Sequence, residues 1–253
     1  MNTINWERVI KAHDLNNYDF DRAPFYIDMQ SIRETIVSAK TPAQRKICVL
    51  YNHFHREKRP DFFIDNDLFL LPLKKGKYVI VKGDGYIDFP PIDSNPINHK
   101  SMLSFELETM RMLDTGTQHL DYAYATSILR TFLSDETLVL TIRGRKYTPE
   151  FSFRVGKFRL NVVGVQTEVD AGYEGEKQVV LVEAKNRDVT DVIIRQLFYP
   201  FRQWTRHTKK KVIPVFFDRD MDEYRFWQFD FKDPDDYNSI FLVKSSKYVI
   251  SNS

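Results

Sequence analysis

The chain has 253 residues, with 37 Lys and Arg against 35 Asp and Glu and a formal net charge of +2. Hydrophobic residues make up 42% and charged residues 28%, a balance that is typical of a folded globular protein and excludes a disordered chain. No run of 18 apolar residues occurs, so neither a transmembrane helix nor a membrane partner is expected. Cys48 is the single cysteine, which excludes an internal disulfide and a Cys-based zinc site. Because residues 1–14 also contain no apolar segment of signal-peptide length, the sequence predicts a cytoplasmic protein.

The first third of the chain is predicted to form helices followed by strands. The helices are expected at residues 5–13, 28–39 and 41–55, and the strands at residues 62–64, 68–73 and 78–81. Lys74-Lys75-Gly76-Lys77 joins the last two strands as a basic hairpin tip. Helices followed by a basic hairpin are the outline of a winged helix, which contacts DNA through a groove helix and a wing. A small α+β domain used for packing or dimerisation fits the same pattern.

A proline-rich segment at residues 90–96 is predicted to divide the chain in two. Its three prolines cannot continue a helix or a central strand. We therefore expect an N-terminal DNA-recognition or accessory domain at residues 1–92 and a larger domain at residues 97–253.

The larger domain is predicted to open with a helical zone at residues 101–132, broken near Thr115 and Gly116. Strands are expected at residues 138–143, 151–155, 158–166 and 212–217, a helix that Thr190 caps at residues 189–207, and an edge strand at residues 224–231.

A hairpin within this domain carries the most informative residues. The apolar run at residues 179–182 predicts a buried strand and ends in Glu183-Ala184-Lys185. A second strand is expected at residues 162–170, before a polar turn. If the turn centres on Gly175 and Glu176, Glu168 faces Glu183 and Asp170 faces Leu181, and the numbers of opposed residues sum to 351. Since side chains alternate along a strand, Glu168, Asp170, Glu183 and Lys185 are expected on one face of the sheet.

Carboxylates gathered on one face repel one another unless a cation lies between them, and oxygen ligands of this kind suit Mg²⁺. Lys185, two residues beyond Glu183, shares its face and can hold an attacking water or a phosphate. Such a set is able to hydrolyse a phosphodiester with a metal ion. A hairpin with charged residues on its solvent face is the simpler interpretation.

At these residues the chain resembles the PD-(D/E)XK nuclease superfamily, and within it the small type II restriction endonucleases. The resemblance implies an α+β or α/β fold, with a restriction-endonuclease-like core in which helices flank a mixed central sheet. It implies that residues 97–253 are the catalytic domain, and that the metal ligands are Asp170, Glu183 and the backbone carbonyl of Ala184. Mg²⁺ is the expected cofactor, and Mn²⁺ is expected to substitute. Val169 stands where the name of the motif implies a proline, which is a departure from the pattern.

Two further residues are candidates for catalytic support. In related nucleases a helix glutamine shortly after the motif supports the active centre, and Gln196 fits that place. Glu168 is the other candidate, because the predicted alternation puts it on the same face.

Basic residues are concentrated on both sides of the hairpin. Residues 142–158 contain five Lys or Arg against one Glu, and residues 185–211 contain eight against two Asp. A polyanionic substrate requires such flanks, although most charge runs are ordinary solvated faces. The candidate DNA contacts are Arg143, Arg145, Lys146, Arg195, Lys209, Lys210 and Lys211.

The sequence thus predicts a Mg²⁺-dependent type II restriction endonuclease that cleaves double-stranded DNA at a specific sequence, as a homodimer if the target is palindromic. One alternative is a nuclease of the same superfamily with low sequence specificity, in DNA repair or defence. Another is a DNA-binding regulator built on a degenerate nuclease fold.

Overall fold

The structure is a computed structural model that describes residues 3–36, 53–112, 114–186 and 189–251. Within these residues the α-helices are α1 (Thr3–Ala12), α2 (Met29–Ile36), α3 (Asp61–Asp65), α4 (Gly116–Ala125), α5 (Ile128–Leu133) and α6 (Arg195–Trp204). Short 3₁₀ helices lie at Leu15–Asn17, Arg56–Lys58, Glu108–Met112 and Tyr237–Ser239. The strands are β1 (Phe25–Asp28), β2 (Leu68–Lys74), β3 (Lys77–Lys82), β4 (Tyr86–Asp88), β5 (Ile97–Lys100), β6 (Val139–Tyr147), β7 (Phe151–Val155), β8 (Phe158–Val162), β9 (Gln166–Glu174), β10 (Gln178–Asn186), β11 (Asp191–Ile193), β12 (Lys211–Asp220), β13 (Glu223–Phe231) and β14 (Ile240–Ser251).

A seven-stranded mixed sheet forms the centre of the C-terminal region, in the strand order β5-β14-β13-β12-β10-β9-β6. β9 is antiparallel to both β6 and β10, whereas β10 and β12 are parallel. Parallel neighbours need a long crossover connection, and the segment that contains α6 supplies it between β10 and β12. The prediction of a mixed central sheet flanked by helices is confirmed, and the chain is of the α+β class.

Strand β10 is buried on both faces of this sheet. On one face Leu181 belongs to a core cluster with Phe198 of α6. On the other face Val180 and Val182 belong to a cluster with Leu120 of α4. Burial on both faces explains why the sequence of β10 is a continuous apolar run rather than an alternating one.

The N-terminal region contains a three-stranded antiparallel sheet in the order β1-β3-β2. The predicted basic hairpin is present, and Lys75 and Gly76 connect β2 to β3. Gly76 has a φ of +73°, in the left-handed region that glycine adopts without steric cost. Residues of α1 and α2 pack on one face of this sheet. On the other face Phe69 and Leu71 belong to the same cluster as Phe198, so the N-terminal sheet and α6 share a core.

Of two predictions for the N-terminal region, one lies mostly outside the described residues and the other is wrong. Most of the helix expected at residues 41–55 lies outside the described residues, and residues 53–55 are not helical. The strand expected at residues 62–64 is wrong, because that segment lies in α3. An apolar run of three residues is too short to distinguish the periodicity of a helix from that of a strand.

The helices of the larger domain are shorter than predicted. In the zone expected at residues 101–132, α4 begins directly after Thr115, at the predicted break, but Ser127 with a φ of +68° separates α4 from α5. Before that break the described residues contain only a 3₁₀ turn. The helix expected at residues 189–207 begins later, because β11 pairs with β4 first, so Thr190 is not its N-cap.

The strand expected at the sheet edge, residues 224–231, lies in the interior. As β13 it is flanked by β12 and β14, and β5 pairs with the outer side of β14. The alternation of polar and aromatic residues in β13 is typical of an edge strand. This alternation does not show whether a second strand pairs with its other side, as β14 does here.

The proline-rich segment packs against the central sheet. The indole Nε1 of Trp227 donates a hydrogen bond to the carbonyl oxygen of Pro90 at 3.0 Å. The ring of Phe89, directly before it, stacks on Phe216 with centroids 3.9 Å apart. In the part of the chain that the structure describes, no helix has both the length and the apolar character needed to cross a membrane.

Candidate active site

The hairpin of β9 and β10 pairs in a register that differs from the prediction by two residues. Leu181 lies opposite Gly172, and Val182 opposite Ala171, so opposed residue numbers sum to 353. Continuing this register brings Glu183 opposite Asp170. The predicted pairing of Asp170 with Leu181 is wrong, and so is that of Glu168 with Glu183. Because side chains alternate with a period of two, a register difference of two residues does not move Glu183 to the other face of the sheet.

A bulge in β9 changes the direction of Asp170. The register between β6 and β9 shifts by one residue between the pairs Ile142–Gly172 and Gly144–Val169. Val169 packs on the α6 side of the sheet and Ala171 on the opposite side, although strict alternation would put both on one face. Bulges of this kind redirect a side chain. Here the Oδ2 atom of Asp170 accepts a hydrogen bond from the backbone amide of Ala184 at 2.8 Å.

Glu183 is the buried centre of the site. Its side chain is 8% exposed, and its Oε1 atom accepts hydrogen bonds from the Nζ of Lys185 and, at 3.4 Å, from the Nε2 of Gln196. Burial raises the pKa of Glu183 to about 7, the positive charge of Lys185 acts in the opposite direction, and the charge of Asp170 adds to the rise. A cation bound beside this carboxyl group would therefore favour its charged form.

Lys185 lies at the mouth of the site, with 30% of its side chain exposed. Burial lowers the pKa of Lys185, but the carboxylates of Glu183, Asp170 and Glu168 outweigh burial and raise it. The ammonium group is therefore charged at neutral pH, and it can contact both a carboxylate and a bound anion.

The N-terminus of α4 packs directly on the backbone of Lys185. A Cβ atom added to Gly116 would lie 2.7 Å from the carbonyl carbon of Lys185 and 2.8 Å from its oxygen. Only glycine permits this approach. Thr115 is the N-cap of the helix, and its side-chain oxygen accepts a hydrogen bond from the backbone amide of Gln118. The side chain of Gln118 in turn accepts a hydrogen bond from the backbone amide of Thr115. The sequence shows the cap and the break before α4, but not that this glycine contacts the motif.

A buried ion pair lies beside Lys185 on the neighbouring strand. Asp218 of β12 is opposite Lys185 and is fully buried. Arg225 donates to its two oxygens, from Nε at 2.6 Å and from Nη2 at 2.8 Å. The sequence analysis assigned no role to either residue.

The oxygen atoms at the site fit a hard divalent cation. Asp170 and Glu183 supply carboxylates from neighbouring strands. The backbone amide of Ala184 points toward β9, where it donates to Asp170. In an antiparallel pair, the amide and the carbonyl of one residue point toward the same neighbouring strand. The carbonyl oxygen of Ala184 therefore also faces the side of Asp170. Mg²⁺ is commonly held by one or two carboxylates, with waters and substrate phosphates as its other ligands.

Glu168 does not join Asp170 and Glu183 as a third carboxylate of the site. Its Oε2 atom lies 3.3 Å from the Nε of Arg145, and its side chain is 56% exposed. Within the described ranges, no group of three or more His, Cys, Asp or Glu side chains is arranged to hold a metal ion.

Three of the predicted DNA contacts lie along β6, next to the site. Arg143 donates to the backbone oxygen of Asp170 at 3.2 Å and to the carboxylate of Asp121 in α4. Arg145 pairs with Glu168, and Lys146 is exposed. The strand expected at residues 138–143 is longer than predicted, since β6 continues to Tyr147 and includes all three of these residues.

The structure separates the other predicted contacts. Arg195 begins α6, directly before Gln196, and its charge acts on Glu183. Lys209, Lys210 and Lys211 lie at the opposite end of the sheet. Lys211 is opposite Gln178, five residues before Glu183, which corresponds to roughly 16 Å along the strand. Lys210 and Lys211 are also engaged in ion pairs, with Glu174 and Asp230.

Two family models match the chain, and both describe domains of unknown function. The model DUF6996 matches residues 3–80, and the model DUF6997 matches residues 81–249, which is more than half of the chain. The chain belongs to the DUF6997 family. No curated protein and no solved structure matches it. The DUF6997 region contains Asp170, Glu183 and Lys185, and its boundary with the DUF6996 region lies inside β3.

Proposed function

We propose that the protein is a Mg²⁺-dependent endodeoxyribonuclease of the type II restriction kind, which hydrolyses double-stranded DNA at a specific sequence. The observation that carries the proposal is the convergence of Asp170, Glu183 and Lys185. The two carboxylates lie on neighbouring strands and interact electrostatically, and Lys185 is bonded to one of them.

The order of elements around these residues supports the proposal. Helix α4 precedes β6, β9 and β10, which are antiparallel neighbours, and α6 then leads to β12, which is parallel to β10. This is the order of helix, three strands, helix and strand in the core of the PD-(D/E)XK superfamily. The β7–β8 hairpin is an insertion between the first two of these strands.

The roles of the residues follow from their positions. Asp170, Glu183 and the Ala184 carbonyl would hold Mg²⁺, which would promote attack of water on the phosphodiester. The Gln196 amide, which donates to Glu183 at 3.4 Å, would help to orient its carboxylate. The ammonium group of Lys185 would bind the scissile phosphate or position the attacking water at the mouth of the site.

Contacts to DNA would come from two surfaces. One would be Arg145 and Lys146 on β6, which pair with Glu168 and Thr167 of β9. The other would be the basic tip of the β2–β3 hairpin, where Lys74 and Lys75 line a pocket together with Tyr147 of β6 and Arg195. Recognition of a palindromic target would require a homodimer, since the symmetry of the protein then matches that of the DNA.

Cleavage assays on supercoiled plasmid with Mg²⁺, Mn²⁺ or EDTA test the proposal. The wild-type protein is expected to give discrete fragments with either metal and none in EDTA. Asp170→Asn and Glu183→Gln should abolish cleavage while leaving DNA binding in gel shifts largely intact, because each loses a ligand but not a contact to phosphate. Glu176→Gln is the matched control, since it makes the same chemical change in the turn of the same hairpin, away from the site.

The outcomes separate the alternatives. Smeared products would indicate a nuclease of low specificity, and sequence-specific binding without cleavage would indicate a regulator. Near-wild-type cutting by Asp170→Asn or Glu183→Gln would overturn the assignment of the site.

The salt dependence of DNA binding tests the basic surface. Loss of one phosphate contact should flatten the plot of log affinity against log salt by about 0.9 on duplex DNA. We expect this for Lys146→Ala. For Lys211→Ala, a change of the same type at the far end of the sheet, we expect no change in the slope.

A further inference from the structure

A pocket of about 410 Å³ lies between the β2–β3 hairpin, the end of β6 and the start of α6. Lys74 and Lys75 line it from the hairpin, Tyr147 from β6 and Arg195 from α6, and Tyr78 of β3 forms part of its wall. Its volume falls within the range of about 300–1,000 Å³ that small-molecule sites occupy. Both regions of the chain contribute to the lining, so the pocket exists only when they are packed together.

The lining combines aromatic rings with cations. Tyr147 is 66% exposed, so much of its ring is available to a planar ligand. Considering only residues that the structure describes, no carboxylate pairs with Lys74, Lys75 or Arg195. Aromatic side chains stack on nucleobases, and cations beside them bind the attached phosphates. The chemistry of the pocket therefore fits a nucleotide, a planar base that carries an anion.

Two residues that line the pocket, Arg195 and Gln166, lie close in sequence to residues of the candidate active site. Arg195 directly precedes Gln196, whose amide donates to Glu183, and the charge of Arg195 acts on both Tyr78 and Glu183. Gln166 also lines the pocket and lies four residues before Asp170 on β9. This separation is about 13 Å along a strand, or about four base steps of 3.4 Å on DNA.

We propose that this pocket binds one unstacked nucleotide of the DNA that lies across the candidate active site. The proposal rests on the nuclease function proposed above. A base enters such a pocket only after leaving the stack, and this costs least at a mismatched or unpaired position. The protein should therefore bind DNA with an unpaired nucleotide more tightly than a fully paired duplex.

Binding measured in EDTA tests the pocket independently of cleavage. Fluorescence anisotropy compares a labelled duplex that contains one extrahelical nucleotide with a fully paired duplex of otherwise identical sequence. Tyr147→Ala should weaken binding of the first duplex about 5- to 140-fold, the value of one base–aromatic stack, and change binding of the second little. Tyr26→Ala is the matched control, because Tyr26 is an exposed tyrosine of the N-terminal sheet, 59% exposed, that does not line the pocket.

A second variant separates the phosphate contact from the base contact. Lys75→Ala should flatten the plot of log affinity against log salt by about 0.7–0.9 on the duplex with the extrahelical nucleotide. Tyr147→Ala should leave that slope unchanged, because the stacking interaction releases no counterion.

Equal affinity of the wild-type protein for the two duplexes would overturn the proposal, and so would equal weakening by Tyr147→Ala and Tyr26→Ala. Calorimetry with deoxyadenosine monophosphate tests the other source of this chemistry. If the free nucleotide binds as tightly as the duplex with the extrahelical nucleotide, the occupant is a free nucleotide and the proposal is overturned. A preference that depends on Tyr147, in a protein that cuts no DNA with Mg²⁺, would support the pocket and overturn the nuclease function.

Discussion

Replacement of Gly116 by alanine tests how closely α4 packs on the backbone of the Glu183-Ala184-Lys185 motif. The added Cβ atom would lie 2.7 Å from the carbonyl carbon of Lys185 and 2.9 Å from its Cα, and both are backbone atoms that cannot rotate away. An ordinary carbon–carbon contact is about 3.5–4.0 Å, so α4 or the end of β10 must move by about 1 Å. Overpacking of this kind costs about 1–3 kcal/mol. Helix propensity alone predicts the opposite sign, a gain of up to about 1 kcal/mol from glycine to alanine.

Under the proposed nuclease function, the same displacement would also slow cleavage, because Lys185 and the Ala184 carbonyl lie on the strand that is pushed. A misplacement of about 1 Å at a reacting centre can lower the rate by about 10²-fold. We therefore expect Gly116→Ala to be less stable in urea denaturation and to cleave plasmid about 10²-fold more slowly in single-turnover assays, measured where the variant is fully folded.

Gly175→Ala provides the matched control. It adds the same methyl group at the far end of the same hairpin, where it meets side-chain atoms of Asp135 and Thr137. It should lower the free energy of unfolding without lowering the cleavage rate of the folded protein. The reasoning would be refuted if Gly116→Ala were as stable as the wild-type protein, or if it were destabilised but cleaved at the full rate.

Three other predictions concern stability and the role proposed for Lys185. Arg225→Ala leaves the fully buried Asp218 without its guanidinium partner and should cost about 3–5 kcal/mol in urea denaturation. Adding Asp218→Asn should recover part of this loss, and a double variant no more stable than Arg225→Ala would contradict the argument. Burial lowers the pKa of His53 from 6.5 to about 4, and the charge of Arg59 acts in the same direction, so between these pH values the unfolded chain takes up a proton that the folded chain does not. The free energy of unfolding should therefore fall by about 2 kcal/mol between pH 7 and pH 5 through this group, and an unchanged pH dependence in His53→Phe would contradict this. Lys185→Ala should cut far more slowly at every Mg²⁺ concentration, because the lost group is not a metal ligand, whereas full rescue at high Mg²⁺ would show that Lys185 only tunes metal affinity.

Local sequence patterns were sufficient for the hairpin and for the proximity of its functional groups. The apolar run of β10, the polar turn before it and the alternation of side chains predicted a buried strand that ends at Glu183. These inferences depend on neighbours a few residues apart, where periodicity and turn chemistry dominate. Gln196 was identified instead through the resemblance to related nucleases, and its amide contacts Glu183 in the structure.

The register of the hairpin could not be obtained in this way. Its turn is one residue further along than the one expected from Gly175 and Glu176, and the bulge at Asp170 arises from the pairing of β9 with β6. A bulge adds a residue to one strand relative to its partner, so it is visible only when both strands are known.

The sequence by itself determined the set of carboxylates and lysine on the β9–β10 hairpin, because this set follows from residue types and short periodicities. The α+β class and the mixed sheet were implied by the resemblance of these residues to the PD-(D/E)XK superfamily. The tertiary structure decided which distant residues meet this set. It brought Gly116 against the backbone of Lys185 and Arg143 against Asp170, and it separated Lys211 from Glu183 by most of the length of β10. A charge run or a glycine has the same local signature at either end of a sheet, and only the packing of strands and helices fixes the end at which it lies.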